Sequence, residues 1–445
     1  MVGFETVGNA TVTVFDDQGP VLTTDPWIDG TPYFGSWGHK YTIPRQQREN
    51  IRQVKYTWLS HGHPDHIDAA SFKYVEKSIL LIPDHYGNRI FDQLNSNYQC
   101  QIVPSNEWLS LSKQVRIKSF ADWNQDAALI IDIAGQDVIL NINDGSGFGW
   151  ATTIKQILSS YANRFLLQLN TWGDATHINL FNDDGAFIEP AASQEPPVGR
   201  QYSRNMKYWG CNFAIPFSSF HQYVRTDSIH MNRFVTPLDR HSEGFDQRQG
   251  DLLPAFIRWD SMKQEYEGID VEERELTPVS PEMCGDSWSD QLEKEDRQKL
   301  QQYFSRIEHL GTKFGAINIR VGGEELRIPL SARKEEISFE APRKSLITAV
   351  EEEIFDDMLI GNYMKTCVSG VKSLTPEFTP FVTKYSDNGR SASQIELQEY
   401  FRYYRRRSAN YWKDMLKAKS ENLIRTYVAP NSETFRIAKS LKHRF

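Results

Sequence analysis

Val54-Lys-Tyr-Thr-Trp-Leu-Ser-His-Gly-His-Pro-Asp-His66 runs from an apolar stretch directly into four metal-binding side chains. Val54 to Leu59 reads as a buried strand, and Gly62 and Pro64 are turn residues. His61, His63, Asp65 and His66 therefore fall on a tight loop at a strand end, where a rigid sheet can aim them. Alternation puts His61 and His63 on one side and leaves Asp65 and His66 for a second, so the loop could serve two adjacent metal ions. Histidine is scarce here, 11 of 445 residues, so this cluster is no accident of composition.

Working outward, the first quarter is strand-rich. Thr11 to Phe15 and Val21 to Thr24 form a hairpin around Asp16-Asp17-Gln18-Gly19-Pro20, leading into Asp25-Pro26-Trp27. Beyond the histidine loop, Ala69 to Lys77 is expected to be helical and Ile79 to Ile82 a short buried strand. Val115 to Phe120, Ala127 to Ile133, Val138 to Ile142, Phe165 to Leu169 and Asn212 to Ile215 continue the strands. Residues 1–262 then make one domain, the acidic, Pro-containing 263–290 a linker, and 291–445 a smaller α+β domain. In the latter, Leu292 to Leu310, Ser345 to Glu353 and Gln394 to Leu423 are expected helices. Ala316 to Val321 and Leu326 to Leu330 are a hairpin across Gly322-Gly323.

A chain of 445 residues exceeds one ordinary core, which favours two domains. With 39% hydrophobic and 24% charged residues it is globular. A net charge of −8 argues against nucleic acid as the main partner. Cys100, Cys211, Cys284 and Cys367 are far apart and form no C-x-x-C pair, which excludes a zinc ribbon and gives no disulfide framework. No window approaches a membrane span and the start lacks a signal-like h-region, so the expected setting is cytoplasmic, without a membrane partner.

Two ions need more donors than one loop supplies, and a carboxylate usually bridges such a pair. Asp144, in Leu140-Asn-Ile-Asn-Asp-Gly-Ser146, is the best bridging candidate: it ends a strand and precedes a Gly-rich loop.

H-x-H-x-D-H on a strand-end loop resembles the signature of the metallo-β-lactamase superfamily. Gly8-Asn-Ala-Thr-Val-Thr-Val14 with Thr24-Asp-Pro-Trp27 looks like that superfamily's first hairpin. The resemblance implies an α/β fold of the metallo-β-lactamase αββα sandwich type over the first 240 or so residues. It makes Asp25 the buried support of the histidine loop and Asp144 the bridge. Hydrolases of the superfamily usually place another histidine one strand before the bridging aspartate. Here that place falls on Asp122, with Asp126 as the nearby alternative. Two carboxylates with two histidines suit iron or manganese better than zinc. The closing ligand is expected at His230, in Ile229-His-Met-Asn232, with His177 and His221 as the other options.

Within the superfamily the chain resembles the branch of CMP-N-acetylneuraminate hydroxylase-like proteins and bacterial non-haem diiron monooxygenases. Asp25-Pro-Trp-Ile-Asp-Gly30, Leu140-Asn-Ile-Asn-Asp144, Ile215-Pro-Phe-Ser-Ser-Phe220 and Ile354-Phe-Asp-Asp-Met-Leu-Ile-Gly-Asn-Tyr363 carry that likeness. No cysteine has a histidine two residues on, so the chain lacks the Rieske pattern of the sialate hydroxylases. The resemblance implies an oxygenase with two iron ions and O2 as co-substrate. His61, His63 and Asp122 would hold one iron, Asp65, His66 and His230 the other, with Asp144 bridging; Asp65 and Asp144 are the carboxylates expected to serve catalysis. An external ferredoxin or flavin reductase would supply electrons to hydroxylate a small organic molecule. The alternative is a dinuclear zinc hydrolase of an ester, lactone or phosphodiester. The second domain either caps the pocket or forms a homodimer.

Overall fold

Strands Ala127–Ile133 and Asp137–Asn143 are buried at every position, whereas Val115–Ala121 alternates at its start, with Arg116 exposed between Val115 and Ile117. A strand buried on both faces must be covered on both sides. The computed structural model, which describes residues 1–172, 178–371, 373–416 and 420, supplies that cover.

Two sheets stack face to face. The first has eight strands in the order Glu265–Gly268, Ile257–Asp260, Gly3–Val7, Thr11–Asp16, Gly19–Thr24, Tyr56–Trp58, Ile79–Pro83 and Cys100–Val103. The second has seven, in the order Asp251–Leu252, Phe213–Ser218, Asn163–Leu169, Asp137–Asn143, Ala127–Ile133, Val115–Ala121 and Leu109–Ser110. Phe4, Val12, Leu22 and Trp58 of the first meet Ile117, Leu129, Ile139 and Phe165 of the second in one core. Helices Ala151–Leu158 and Gly199–Trp209 cover the outer face of the second sheet through Ile154, Tyr202 and Met206. Helix Arg45–Arg52 covers the first through Ile51. The result is an αββα sandwich.

A third sheet of six strands follows the order Phe187–Ile188, Leu180–Phe181, Lys365–Ser369, Glu336–Glu340, Ala316–Val321 and Glu324–Pro329. Helices Lys294–Ser305, Arg343–Glu351 and Phe355–Gly361 share its core through Leu300, Phe304, Leu346 and Phe355. Its Leu180 pairs with Thr366, so a hairpin from the sandwich half completes the sheet of the C-terminal half. The hairpin over Gly322 and Gly323 is present, and both glycines have positive φ, 59° and 80°. A two-residue turn that follows the strand twist requires this.

Three expected helices change. Ala69 to Lys77 is not helical beyond a single 3-10 turn, Phe72–Tyr74. Ser71 Oγ instead accepts from the backbone N–H of Ile28 (2.8 Å) and Asp29 (3.0 Å), and Asp68 Oδ1 accepts from Ala70 N–H. Side chains that bond backbone this way compete with helix. Leu292 to Leu310 divides into Lys294–Ser305 and the start of Glu308–Lys313. The long C-terminal helix ends at Arg407, where the chain turns so that Asn410 N–H meets the Gly149 carbonyl (2.9 Å) and Asp414 accepts from Gly149 N–H (2.7 Å). Its expected end, at Leu423, lies outside the described residues. Among those described, no helix is long and apolar enough to cross a membrane.

Candidate metal centre

Strands Gly19–Thr24, Tyr56–Trp58 and Ile79–Pro83 run parallel, with Thr24 opposite Trp58 and Trp58 opposite Leu81. Their carboxyl ends deliver Asp25, the Ser60–His66 loop and His85 to one edge. In the second sheet Val115–Ala121 and Asp137–Asn143 flank an antiparallel strand, so Asp122 and Asp144 leave at a common edge as well. The histidine loop cannot continue the sheet because Asp25 claims its first amide: Asp25 Oδ1 accepts from Ser60 N–H at 2.7 Å.

The imidazoles converge. His61 Nε2 faces His63 Nδ1 at 2.8 Å, and Asp144 Oδ2 lies 3.5 Å from His61 Nε2 and 3.2 Å from His66 Nε2. His61, His63 and Asp144 offer one donor atom each, all within 4.8 Å of one another, a group able to hold a metal ion. Asp65 sits alongside, its Oδ2 3.4 Å from His66 Nε2. Its two oxygens are clamped: Tyr33 O–H donates to Oδ1, and Asn9 Nδ2 donates to Oδ2 at 3.0 Å. Ser60 Oγ lies 2.8 Å from His61 Nδ1, which leaves Nε2 aimed inward.

The electrostatics fit a cation. Burial drives His61 well below the ordinary imidazole range, helped by His66 and His63, and a neutral imidazole is what a metal requires. Burial acts the same way on His66, but Asp65 and Asp25 overcome it and raise it well above its ordinary value. Burial would raise Asp65, yet His66, His63 and the Tyr33 hydroxyl hold it well below. The pocket thus stabilises positive charge next to neutral nitrogen donors.

Two charged groups from the C-terminal half complete the surroundings, and sequence reasoning missed both. Asp356, on helix Phe355–Gly361, accepts from His63 Nε2–H at 2.9 Å. That bond places the proton on Nε2 and keeps the Nδ1 lone pair toward His61. Lys384 Nζ reaches in from the π-helical segment Pro380–Asn388, 3.5 Å from Asp356 and 3.8 Å from Asp126. Burial would raise Asp356, but Lys384 and His63 bring it to about 2. The one available signal was a pair of acids, Asp356-Asp357, inside an apolar run that is buried throughout.

The other sequence candidates lie as follows. Asp122 is buried on the same edge, but its oxygens accept from Asn124 N–H (2.8 Å), Ser146 N–H (3.3 Å) and Ser146 O–H (2.7 Å), and it is not part of the convergent group. Asp126 faces Lys384. His230 is exposed, with Nε2 3.3 Å from Asn179 Oδ1 and its ring edge-on to Phe187, and the structure does not bring it into that group. His221 is buried and stacks flat on Trp37, centroids 3.3 Å apart. His177 lies outside the described residues.

No family model matches the chain. It is similar to the cytidine monophosphate-N-acetylneuraminic acid hydroxylase of Danio rerio, 24% identical over 130 residues, which is 27% of this chain and 22% of that protein. The Macaca mulatta hydroxylase is 22% identical over 198 residues, 42% of this chain and 32% of the relative. The human relative, named inactive, is 27% identical over 133 residues, 28% of this chain and 26% of its own length. The chain thus spans between about a fifth and a third of the curated relatives it matches. Among solved structures, a CmlA beta-hydroxylase mutant aligns with TM-score 0.36 and 13% identity, covering 57% of this chain and 52% of that one. An isothiocyanate hydrolase from Delia radicum gut bacteria gives the same TM-score and identity, over 57% and 96%. By its αββα layers and its histidine loop the chain has a metallo-β-lactamase-type fold, and over part of its length it is similar to the CMP-N-acetylneuraminic acid hydroxylases.

Proposed function

We propose that the chain is a non-haem diiron monooxygenase that hydroxylates a small organic molecule with O2 and electrons from an external ferredoxin or flavin reductase in the cytoplasm. The observation that supports this is the carboxylate content of the centre. Asp65 and Asp144 stand with His61, His63 and His66, and Asp356 backs His63. Oxygen donors of this kind favour iron over zinc, and their charge stabilises its oxidised state.

In this reading His61 and His63 would hold one ion and Asp65 and His66 the other, and Asp144, whose Oδ2 faces both His61 and His66, would serve both. When bound, the iron pair would supply activation of O2 for insertion of oxygen into a C–H bond. The protein's own contribution is positioning. Asp25 fixes the loop by its first amide, Tyr33 and Asn9 lock the Asp65 carboxylate, and Asp356 sets the His63 tautomer. Buried partners of this sort orient ligands and raise their basicity. Lys384 offsets the charge of Asp356, while burial pushes the Asp126 carboxyl up to about 8 against the same ammonium, so the centre does not accumulate unpaired carboxylates.

A dinuclear zinc hydrolase is the second reading, favoured by the three imidazoles of a single loop. Expression with both metals available separates the two, read by metal content, optical and Mössbauer spectra, and oxygen uptake. Two iron ions with oxygen consumption support the oxygenase. Two zinc ions with hydrolytic turnover and no oxygen uptake would sink it.

A further inference from the structure

A cavity of 850 Å³ opens against the loops that follow Asp122 and Asp144, within the size range of small-molecule sites. Trp123, Asn124, Ser146 and Phe148, on the two loops that begin at Asp122 and Asp144, are among its lining. Ser146 lines the cavity and donates its hydroxyl to Asp122. Tyr385, which also lines it, follows Lys384 in the chain. The loop that carries Asp144, one of the convergent group, therefore also contributes Ser146 and Phe148 to the cavity.

Its chemistry is uneven in an informative way. Trp123 and Phe148 stack in parallel, centroids 4.3 Å apart and planes within 10°, with Phe401 edge-on to Trp123 at 5.7 Å. Gln398, Phe401, Arg402 and Arg405 sit at i, i+3, i+4 and i+7 on helix Gln394–Arg407, so one helix face lines the space. Among the described residues the lining has no Asp or Glu, although the chain carries 58 acidic against 50 basic residues. Arg402 and Arg405 are exposed, and no carboxylate pairs with either among the described residues. Arg405 lies 5.8 Å from the ring of Trp412, an indole left 64% exposed at the cavity.

Two guanidinium groups without counter-ions beside flat rings are suited to an organic anion. We infer that this cavity binds the substrate, and that the substrate has a planar unsaturated body stacked among Trp123, Phe148 and Phe401 and an acidic group held by Arg402 and Arg405. Arginine presents a planar fork of donors that matches carboxylate, sulfonate and phosphate oxygens. The word substrate rests on the proposed oxygenase function; the binding itself does not.

The test uses the full chain, metal-free and metal-loaded, with two fluorescent probes of matched shape. 8-Anilinonaphthalene-1-sulfonate carries a flat naphthalene and an anionic sulfonate, and N-phenyl-1-naphthylamine is its neutral counterpart. The sulfonate should saturate at one molecule per chain. The double variant R402Q/R405Q should weaken it by about 10- to 100-fold, the loss of charge-assisted hydrogen bonds, while the neutral probe changes less than about threefold. Trp123→Ala should weaken both probes. Unchanged sulfonate binding in the double variant, with a wild-type melting curve, would overturn the inference, as would binding without saturation at one site. A chain that loads zinc yet passes this test fails only the oxygenase reading, and one that loads iron yet ignores the arginines fails only this one.

Discussion

Replacing Asp356 by Asn should loosen the metal without unfolding the protein. The carboxylate accepts from His63 Nε2–H at 2.9 Å and lies 3.5 Å from Lys384 Nζ. The amide can still accept that proton through its oxygen, but the charge is gone. Losing the outer partner of a ligating histidine typically costs 10- to 100-fold in metal affinity, or about 1.4–2.7 kcal/mol. A charge-assisted hydrogen bond is worth about 1.5–3 kcal/mol, so the two estimates agree. Asp356→Asn should fall near 10-fold and Asp356→Leu, which offers no acceptor, near 100-fold. Lys384 keeps Asp126 at 3.8 Å, so its burial remains partly compensated and the metal-free protein should still melt cooperatively. The neighbour is the control. Burial and Asp356 push the Asp357 carboxyl well above its usual range, so Asp357→Asn should remove less charge than Asp356→Asn, and Asp357 is not among the groups bonded to His63. Affinity is read by competition with a chelating dye, alongside a metal-free thermal melt. A dissociation constant for Asp356→Asn within twofold of wild type would refute the reasoning. So would an equal loss in Asp357→Asn.

Other consequences are as direct. Asp122→His should shift uptake toward zinc if Asp122 meets the metal, and Asp122→Ala should cost about 1–3 kcal/mol in urea unfolding because three donors from Asn124 and Ser146 lose their acceptor. Arg225 is fully buried, donating to Asp286 (2.8 Å), Asp227 (2.9 Å) and the Phe34 carbonyl (2.9 Å) while lying 3.9 Å over the Tyr363 ring. Arg225→Met should therefore destabilise by about 3–5 kcal/mol, since it strands buried carboxylates; a loss under about 1 kcal/mol in denaturant titration would contradict this. Burial lowers His39 to about 3, so the unfolded chain takes up its proton first and this contribution is lost as pH falls below about 6.5. Asp387, raised by burial to about 7, titrates with the opposite sign, so the comparison must be a difference between variants. Between pH 6.5 and 5 wild type should lose up to about 1.4 kcal/mol per pH unit relative to His39→Gln, measured by urea midpoints.

What was legible in the sequence follows from the range of each interaction. Strand periodicity and the His61–His66 cluster are local signals, and they were enough to place the loop at a strand end; the two stacked sheets were implied by the resemblance to the metallo-β-lactamase superfamily, which those signals brought to light. Asp144 was legible for the same reason, as an acid between a buried strand and a Gly-rich turn. Helix Ala69–Lys77 failed because Ser71 is engaged by Ile28 and Asp29, 43 and 42 residues away, which no window of local propensity contains. Asp356 meets His63 across 293 residues and follows no ligand spacing, so only its charge inside a buried helix marked it.

That last contact changes what the C-terminal half is for. Its core is its own, with Leu300, Phe304, Phe339 and Phe355 packed together, and on stability alone it could be a separate cap. Three attachments argue otherwise. Arg89 on the sandwich donates to the carbonyls of Glu352 (2.5 Å) and Glu353 (2.6 Å), where helix Arg343–Glu351 ends and its carbonyls need donors. That anchor sits just before Asp356 and fixes where the carboxylate lands. The Leu180–Phe181 strand pairs with Lys365–Ser369 just after it. Lys384 then enters from the far side, against both Asp356 and Asp126. A carboxylate attached in this way and bonded to His63 belongs with the proposed centre, so the chain expressed without residues 291–445 should bind metal at least 10-fold more weakly and also melt earlier, because Leu180–Phe181 loses its sheet partner.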